Sequence, residues 1–121
     1  MKREYLREIL LFEDHFIKFR RTLPRDVLKK MYQIFMLIMT VEVIPVKFLK
    51  QITSIRGLYE IRIEEGGNIF RVFCCFDEGR LIVLFNGIQK KTQKTPKDAL
   101  IKAETLMKRY FEQKNNNGYE R

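Results

Sequence analysis

Three apolar stretches separated by short glycine-containing turns constrain the fold of this chain most strongly. In LYEIRIE (58–64), apolar and charged residues alternate strictly, which is the pattern of a strand with one buried face. The stretches IFRVFCCF and RLIVLFN follow it, after the turns EGGN and DEG. Strand-like runs linked this tightly predict a three-stranded antiparallel meander.

Helical periodicity surrounds the meander on both sides. Residues 13–23 predict a short helix with Asp14 as its cap. Pro24 fits the first turn of a second helix, and a last helix begins at Pro96. The apolar residues of the second helix recur at helical spacing: Val27, Met31, Ile34, Phe35, Ile38 and Met39.

The order of these elements predicts one α+β domain with helices packed on an antiparallel sheet. Residues 7–12, before the first helix, are compatible with either a strand or a helix. We expect the domain to span residues 1–113. Residues 114–121 are polar and end in NNNGYER, so a disordered tail is expected there.

Charge and hydropathy narrow the classes of partner and compartment. The 121 residues suit a single domain. The net charge is +9, and because the excess lies in the two flanks, a polyanion such as nucleic acid or an acidic protein is the expected partner.

The longest apolar stretch, 31–46, is too short and too interrupted to span a membrane, and no signal segment opens the chain. A soluble cytoplasmic protein is predicted.

The residue types that usually carry catalysis are scarce in this sequence. Cys74 and Cys75 are adjacent in a predicted strand, so their side chains are expected on opposite faces, as core residues in a reducing compartment. The one histidine, His15, lies among phenylalanines. The sequence contains no metal-ligand cluster, nucleophile triad or phosphate-binding glycine loop. We therefore expect no metal and no other cofactor.

Arg71 interrupts an otherwise apolar strand, and a guanidinium in such a place needs a partner. One interpretation is an ion pair with an acidic residue such as Glu60 or Glu64. The other is an anion site, because the hairpin would bring Arg62 and Arg71 onto one face, where an anion could bind between them. The residues alone leave both interpretations open.

A lysine-rich run, GIQKKTQKTPKDAL (87–100), joins the last strand to the last helix. It is either a solvated loop or a phosphate-binding wall, since free N–H groups at a helix start also favour anions. Its charged and uncharged donors are Lys90, Lys91, Gln93, Lys94, Thr95 and Lys97. Lys47 and Lys50, which follow Pro45, are further candidates.

The sequence resembles the RelE/HigB-type toxins of bacterial toxin–antitoxin systems, in particular the phage-derived HigB-like branch. The resemblance runs from about Phe12 to Phe111. It is sharpest in GLYEIR, GGNIFRVF, DEGRLIVLFNG and KKTQKTP. It implies a RelE-like fold with one strand, two helices, three further antiparallel strands and a closing helix, so residues 7–12 are expected to form an edge strand.

The resemblance implies the toxin of a type II system, an mRNA interferase that inhibits translation. This activity is a metal-independent endoribonuclease that cuts mRNA on the ribosome by attack of the 2′-hydroxyl. The catalytic positions implied are Arg62, Arg71, Lys90 and Lys91. The other candidates are expected to bind RNA phosphates: Lys47, Lys50, Gln93, Lys94, Thr95 and Lys97. The implied partner is a cognate antitoxin of the helix-turn-helix type, bound to a toxin that is monomeric within the complex.

The sequence departs from the RelE pattern at several positions. Glu60 stands where RelE has a second basic residue, and the histidines of some HigB members have no counterpart. Tyr110 does not clearly match the tyrosine of the RelE closing helix. The alternative is a non-catalytic binding protein of the same superfamily: a ParE-like gyrase poison, or an inactive phage-derived relic that binds only antitoxin or nucleic acid.

Overall fold

The computed structural model describes residues 5–91 and 96–119, with side chains described up to Asn116. Its elements are β1 (Glu8–Leu11), α1 (His15–Arg20), α2 (Arg25–Thr40), β2 (Leu49–Gln51), β3 (Leu58–Glu65), β4 (Asn68–Asp77), β5 (Leu81–Lys90) and α3 (Lys97–Tyr119). The strands form one sheet in the order β1-β5-β4-β3-β2. The predicted α+β class and the predicted edge position of the first strand are both confirmed.

The sheet differs from the predicted one in two respects. It contains a fifth strand, β2, which pairs antiparallel with β3 through Leu49↔Ile61 and Gln51↔Tyr59. It is also mixed, because β1 runs parallel to β5. The helix ends differ slightly as well: Pro24 precedes α2, and the Asp14 carboxylate pairs with Lys18 at 3.1 Å without capping α1.

Two apolar layers sandwich the sheet, since successive strand residues point to opposite faces. One layer packs the sheet against α1 and α2 and includes Cys74, and the other packs it against α3 and includes Cys75. The two thiols are free and lie on opposite faces, as predicted. Burial raises the pKa of both, that of Cys75 to about 12.

Arg7 fixes the first strand to the end of α2. Its guanidinium donates to the carbonyl oxygens of Ile38, Val41 and Glu42 at 2.9, 2.6 and 2.7 Å. The last carbonyls of a helix have no partner within the helix and carry partial negative charge. A cation at this position therefore stabilises the end of α2 and the approach of the chain to β1.

A buried network anchors α3 at the β4–β5 turn. The Tyr110 hydroxyl donates to Asp77 Oδ2 at 2.6 Å, and Lys114 Nζ lies 2.7 and 2.8 Å from the two carboxylate oxygens. Burial opposes ionisation of Asp77, but the bonds from Lys114 and Tyr110 outweigh it and hold the pKa of the carboxyl below its usual value.

The last helix, α3, continues past residue 113 to Tyr119. Among the helices that the structure describes, none combines the length and the apolar character that a membrane span requires.

Three local features set the geometry of the other end of the sheet. Gly66 and Gly67 have φ of 60° and 80°, so they close a two-residue turn that most side chains would strain. The β4–β5 pairing shifts register between Val72 and Cys74, where β5 contains one extra residue. Gly87 follows this bulge, and the Phe19 ring of α1 lies directly over its backbone.

Candidate nucleic-acid interface

Three neighbouring strands bring their polar side chains to one face at the Gly66-Gly67 end of the sheet. Arg62 of β3 lies directly opposite Arg71 of β4, which in turn lies opposite Ile88 of β5. The next row towards the turn pairs Glu64 with Ile69 and Ile69 with Lys90. The previous row pairs Lys50 of β2 with Glu60. The predicted proximity of Arg62 and Arg71 is therefore confirmed.

Arg71 forms an ion pair with Glu60, through Nη1 and Oε2. The two side chains are only 10% and 6% exposed, so neither charge is hydrated as it would be at the surface. A charge buried in this way is stable only with a partner. Of the two interpretations left open above, the structure contains the ion pair.

Arg62 has the same kind of partner in a different environment. Its Nε lies 2.8 Å from Glu64 Oε1, and the two side chains are 39% and 62% exposed. Solvent screens an ion pair of this kind, so it contributes little to stability. Arg62 thus presents a guanidinium at the surface, whereas Arg71, beside it on the neighbouring strand, is largely buried.

A groove of about 750 Å³ opens beside this face. Arg62, Lys90 and Lys91 line it, together with Asn68 and Gln89. The Gln89 amide nitrogen lies 3.4 Å from Asn68 Oδ1. The groove therefore combines three cations with neutral hydrogen-bonding groups, a composition suited to phosphates and the sugars or bases attached to them.

Lys90 is the cation most affected by its neighbours. Burial, followed by the charge of Arg71, lowers the pKa of its ammonium below the usual 10.5. Arg62 and Lys50 act in the same direction, and Glu60 opposes them. An ammonium in such a field favours a nearby anion, which would offset the repulsion between the cations.

The remaining predicted residues lie in three different situations. We call the groove and the charged sheet face beside it, which carries Arg62 and Arg71, the cleft. Lys50 of β2 lies on this face, opposite Glu60. Lys47 is exposed, with its ammonium 4.8 Å from the centre of the Phe48 ring, and Lys97 is exposed at the start of α3; neither lines the groove. Gln93, Lys94 and Thr95 lie outside the described residues.

Two residues that were considered for catalysis lie away from this cleft. His15 Nε2 is 3.1 Å from Glu13 Oε1 in the corner between β1 and α1. Tyr110 is bound to Asp77 at the opposite end of β4. Within residues 5–91 and 96–119, no three His, Cys, Asp or Glu side chains are placed to hold a metal ion together.

The sequence did not assign Asn68 and Gln89 to the site. It indicated Glu60 only as a departure from the RelE pattern and as a candidate ion-pair partner of Arg71. The hairpin register contained part of the missing information, because Asn68 closes the Gly66-Gly67 turn opposite Glu65. Gln89 could not be placed from the sequence, since its position depends on the bulge in β5.

The five-stranded sheet, the helix pair on one face and the closing helix on the other define a RelE-like α+β fold. The sequence model of the phage-derived Gp49-like protein family (DUF891) matches residues 18–108. The chain therefore belongs to this phage-derived family, and the matched range contains β2 to β5 with the cleft cations Lys50, Arg62, Arg71, Lys90 and Lys91. No curated protein sequence matches the chain.

Proposed function

We propose that this chain is the toxin of a type II toxin–antitoxin system, of the HigB-like branch, and that it cuts mRNA on the ribosome. The observation that carries this proposal is the groove lined by Arg62, Lys90 and Lys91 at the open end of the sheet. Its volume of about 750 Å³ suits a ligand the size of one or two nucleotides. The RelE-like fold and the phage-derived family support the same assignment.

The proposed reaction is cleavage of RNA by its own 2′-hydroxyl. The 2′-oxygen attacks the adjacent phosphorus and the bond from phosphorus to the 5′-oxygen breaks, which leaves a 2′,3′-cyclic phosphate and a 5′-hydroxyl. One proton leaves the 2′-hydroxyl and one is delivered to the 5′-oxygen. The reaction needs no cofactor if side chains supply these transfers and stabilise the phosphorane charge.

The cleft residues suit these tasks to different degrees. Arg62 stays protonated and can bind two phosphate oxygens at once, so we assign it to charge stabilisation. Lys90 has a lowered pKa, which brings it closer to proton exchange at neutral pH. Lys91 adds positive charge at the rim, and Lys50 does so from β2.

The antitoxin is proposed to cover this cleft. A chain of net charge +9 with a concentrated basic groove attracts an acidic segment, which would compete with RNA for the same cations. We propose a helix-turn-helix antitoxin that binds one toxin monomer in this way. Binding of both ligands to one surface would make RNA cleavage and antitoxin binding mutually exclusive.

One observation favours the alternative of a non-catalytic binding protein. The one carboxylate buried in the cleft face, Glu60, is already bound to Arg71, and His15 lies elsewhere. No described residue of the groove is therefore a ready proton acceptor at neutral pH. A gyrase poison or a relic that binds only antitoxin would have such a site.

Induced expression without antitoxin, with mapping of new 5′ ends across the transcriptome, tests the proposal. We expect growth arrest with mRNA ends in phase with codons, abolished in the double variant Arg62→Ala/Lys90→Ala. The matched control is Arg80→Ala/Lys108→Ala, which removes the same charge from exposed positions outside the cleft. Arrest without new ends would favour the gyrase-type poison, and absence of arrest would favour the inactive relic.

A further inference from the structure

The two arginines of the cleft have carboxylate partners that come from the same strand but differ in environment. Glu60 and Glu64 are four residues apart on the same face of β3, and Arg62 lies between them. Glu60 is 6% exposed and bound to Arg71, whereas Glu64 is 62% exposed and bound to Arg62. The same chemical group thus makes one buried contact and one contact open to water.

Burial decides how easily each contact can be exchanged. Removing one partner of a buried pair leaves the other charge without hydration, which is strongly unfavourable. The Arg71–Glu60 pair is therefore costly to break. An exposed pair gains little from its mutual attraction because water and salt compete for both groups. Arg62 can consequently exchange Glu64 for another anion at little cost.

We propose that Glu60 is a positioning residue, which fixes the Arg71 guanidinium as a rigid part of the cleft floor, and that Glu64 is a stand-in which an RNA phosphate displaces from Arg62. The RNA part of this inference rests on the function proposed above. Arg62 then becomes the arginine that contacts substrate, and Arg71 acts from the neighbouring strand through its fixed charge.

A matched pair of substitutions separates position from charge. Glu60→Gln and Glu64→Gln each remove one negative charge from the same face of the same strand. If only net charge mattered, both variants would bind single-stranded RNA more tightly and would cleave mRNA on the ribosome equally well. We expect tighter binding in both, but a kcat about 10- to 100-fold lower in Glu60→Gln alone, because a displaced catalytic charge is costly. Equal kcat in the two variants would overturn the positioning role.

A double variant tests whether Glu60 acts through Arg71. In an Arg71→Met background, Glu60→Met should change kcat no further, since the residue that it positions is already absent. This pair of substitutions also removes both charges together, which a fold tolerates better than the loss of one. A further fall in kcat would mean that Glu60 itself contacts the RNA, contrary to the proposal.

NMR of the unbound protein gives a readout that does not depend on RNA cleavage. The Nε–Hε signal of Arg71, assigned by its absence in Arg71→Met, should show a rigid side chain in the wild type and in Glu64→Gln. In Glu60→Gln it should show increased motion on the picosecond to nanosecond timescale. An unchanged signal would overturn the positioning role. If the wild type cleaves no mRNA on the ribosome while this signal responds as expected, the proposed function fails and the role of Glu60 stands.

Titration of the wild type with a single-stranded RNA oligonucleotide tests the role of Glu64 by the same method. We expect the Arg62 signal to shift on binding, and the affinity to rise more in Glu64→Gln than in Glu60→Gln, because only Glu64→Gln removes the carboxylate that competes for Arg62. A gain in Glu64→Gln no larger than that in Glu60→Gln would overturn the displacement of Glu64 by phosphate.

Discussion

Arg62 and Arg71 are directly opposed across β3 and β4, and each is bound by a glutamate of β3. Two like charges at directly paired positions destabilise a sheet. The carboxylates of Glu60 and Glu64 offset this repulsion in the unbound protein. The cleft is thus assembled without ligand, while one of its two arginines remains open to solvent.

Substitution of Arg62 should weaken RNA binding with little effect on folding. We expect Arg62→Gln to lower the affinity for a single-stranded oligonucleotide about tenfold at low salt, and to reduce the slope of log K against log salt by about 1. Fluorescence anisotropy over a salt series measures both. Arg80→Gln, at the opposite end of β4 and β5, is the control, and an equal loss of affinity there would contradict the assignment of the cleft.

Lys90 is expected to lower the stability of the folded protein, although it contributes to RNA binding. Because its pKa is lowered in the folded protein, the charged form is penalised at every pH below that value, and the penalty disappears as the pH rises above the unfolded value of about 10.4. Lys90→Met should therefore increase stability at pH 7, by less than about 1 kcal/mol at this half-exposed position, while it weakens RNA binding.

Urea unfolding at pH 7 and pH 10.5 measures the effect of Lys90→Met on stability. The gain over the wild type should shrink at the higher pH. The exposed Lys108 of α3 provides the control, as Lys108→Met should give no such pH-dependent gain. A Lys90→Met protein that is less stable than the wild type at pH 7 would contradict the electrostatic interpretation.

The anchor of α3 makes stability sensitive to acid. The pKa of Asp77 is lowered in the folded state, so its contribution is fully present above the unfolded value of about 3.9 and is lost as the pH falls through the folded value. Asp77→Asn should cost about 2–3 kcal/mol at pH 7, because Lys114 and Tyr110 lose a charged acceptor.

Thermal or urea unfolding of Asp77→Asn at pH 7 and at pH 3 checks this contribution. The difference from the wild type should narrow at pH 3. Glu78→Gln is the control: Glu78 also lies within 3.3 Å of Lys114 but is 81% exposed, so its loss should cost less than about 0.5 kcal/mol. A constant difference at both pH values would mean that Asp77 contributes through packing alone.

Gly87 is required by a close approach between α1 and β5. A Cβ atom at this position would lie 2.4 Å from Cδ2 of the Phe19 ring, which is far inside van der Waals contact. Gly87→Ala should therefore destabilise the protein by about 1–3 kcal/mol, through displacement of Phe19. In a Phe19→Leu background the same change should cost less, and equal costs in the two backgrounds would show that the ring is not the obstacle.

The sequence was sufficient for most of the fold because local chemistry and long-range pairing agree. Strict alternation in 58–64 and the Gly66-Gly67 turn specify the hairpin, and with it the opposition of Arg62 and Arg71. β2 could not be predicted because Leu49–Gln51 is too short for a periodic signal. It becomes a strand by pairing with β3, and this pairing is also what brings Lys50 to the cleft.

The candidate site was predicted less completely, because its geometry depends on side chains at specific depths. The sequence indicated that Arg71 needs a partner, but an ion pair and an anion site have the same sequence requirements. The depth at which Glu60 and Arg71 are buried depends on tertiary packing, which a local sequence pattern does not contain. The polar tail residue Lys114 likewise gave no sign of its contact with Asp77, since that contact joins residues far apart in the chain.

The bulge in β5 shifts the alternation of side chains between the two faces of the sheet. Before it, odd-numbered residues such as Val83 face α3; after it, even-numbered residues such as Lys90 face the same side. If all the residues of β5 continued in regular pairing from Cys74↔Leu84, without the bulge, Gln89 would lie opposite Ile69 and Lys90 would turn to the opposite face. The one extra residue therefore lets core residues such as Val83 and the cation Lys90, which have opposite parity in the sequence, share the same side of the sheet.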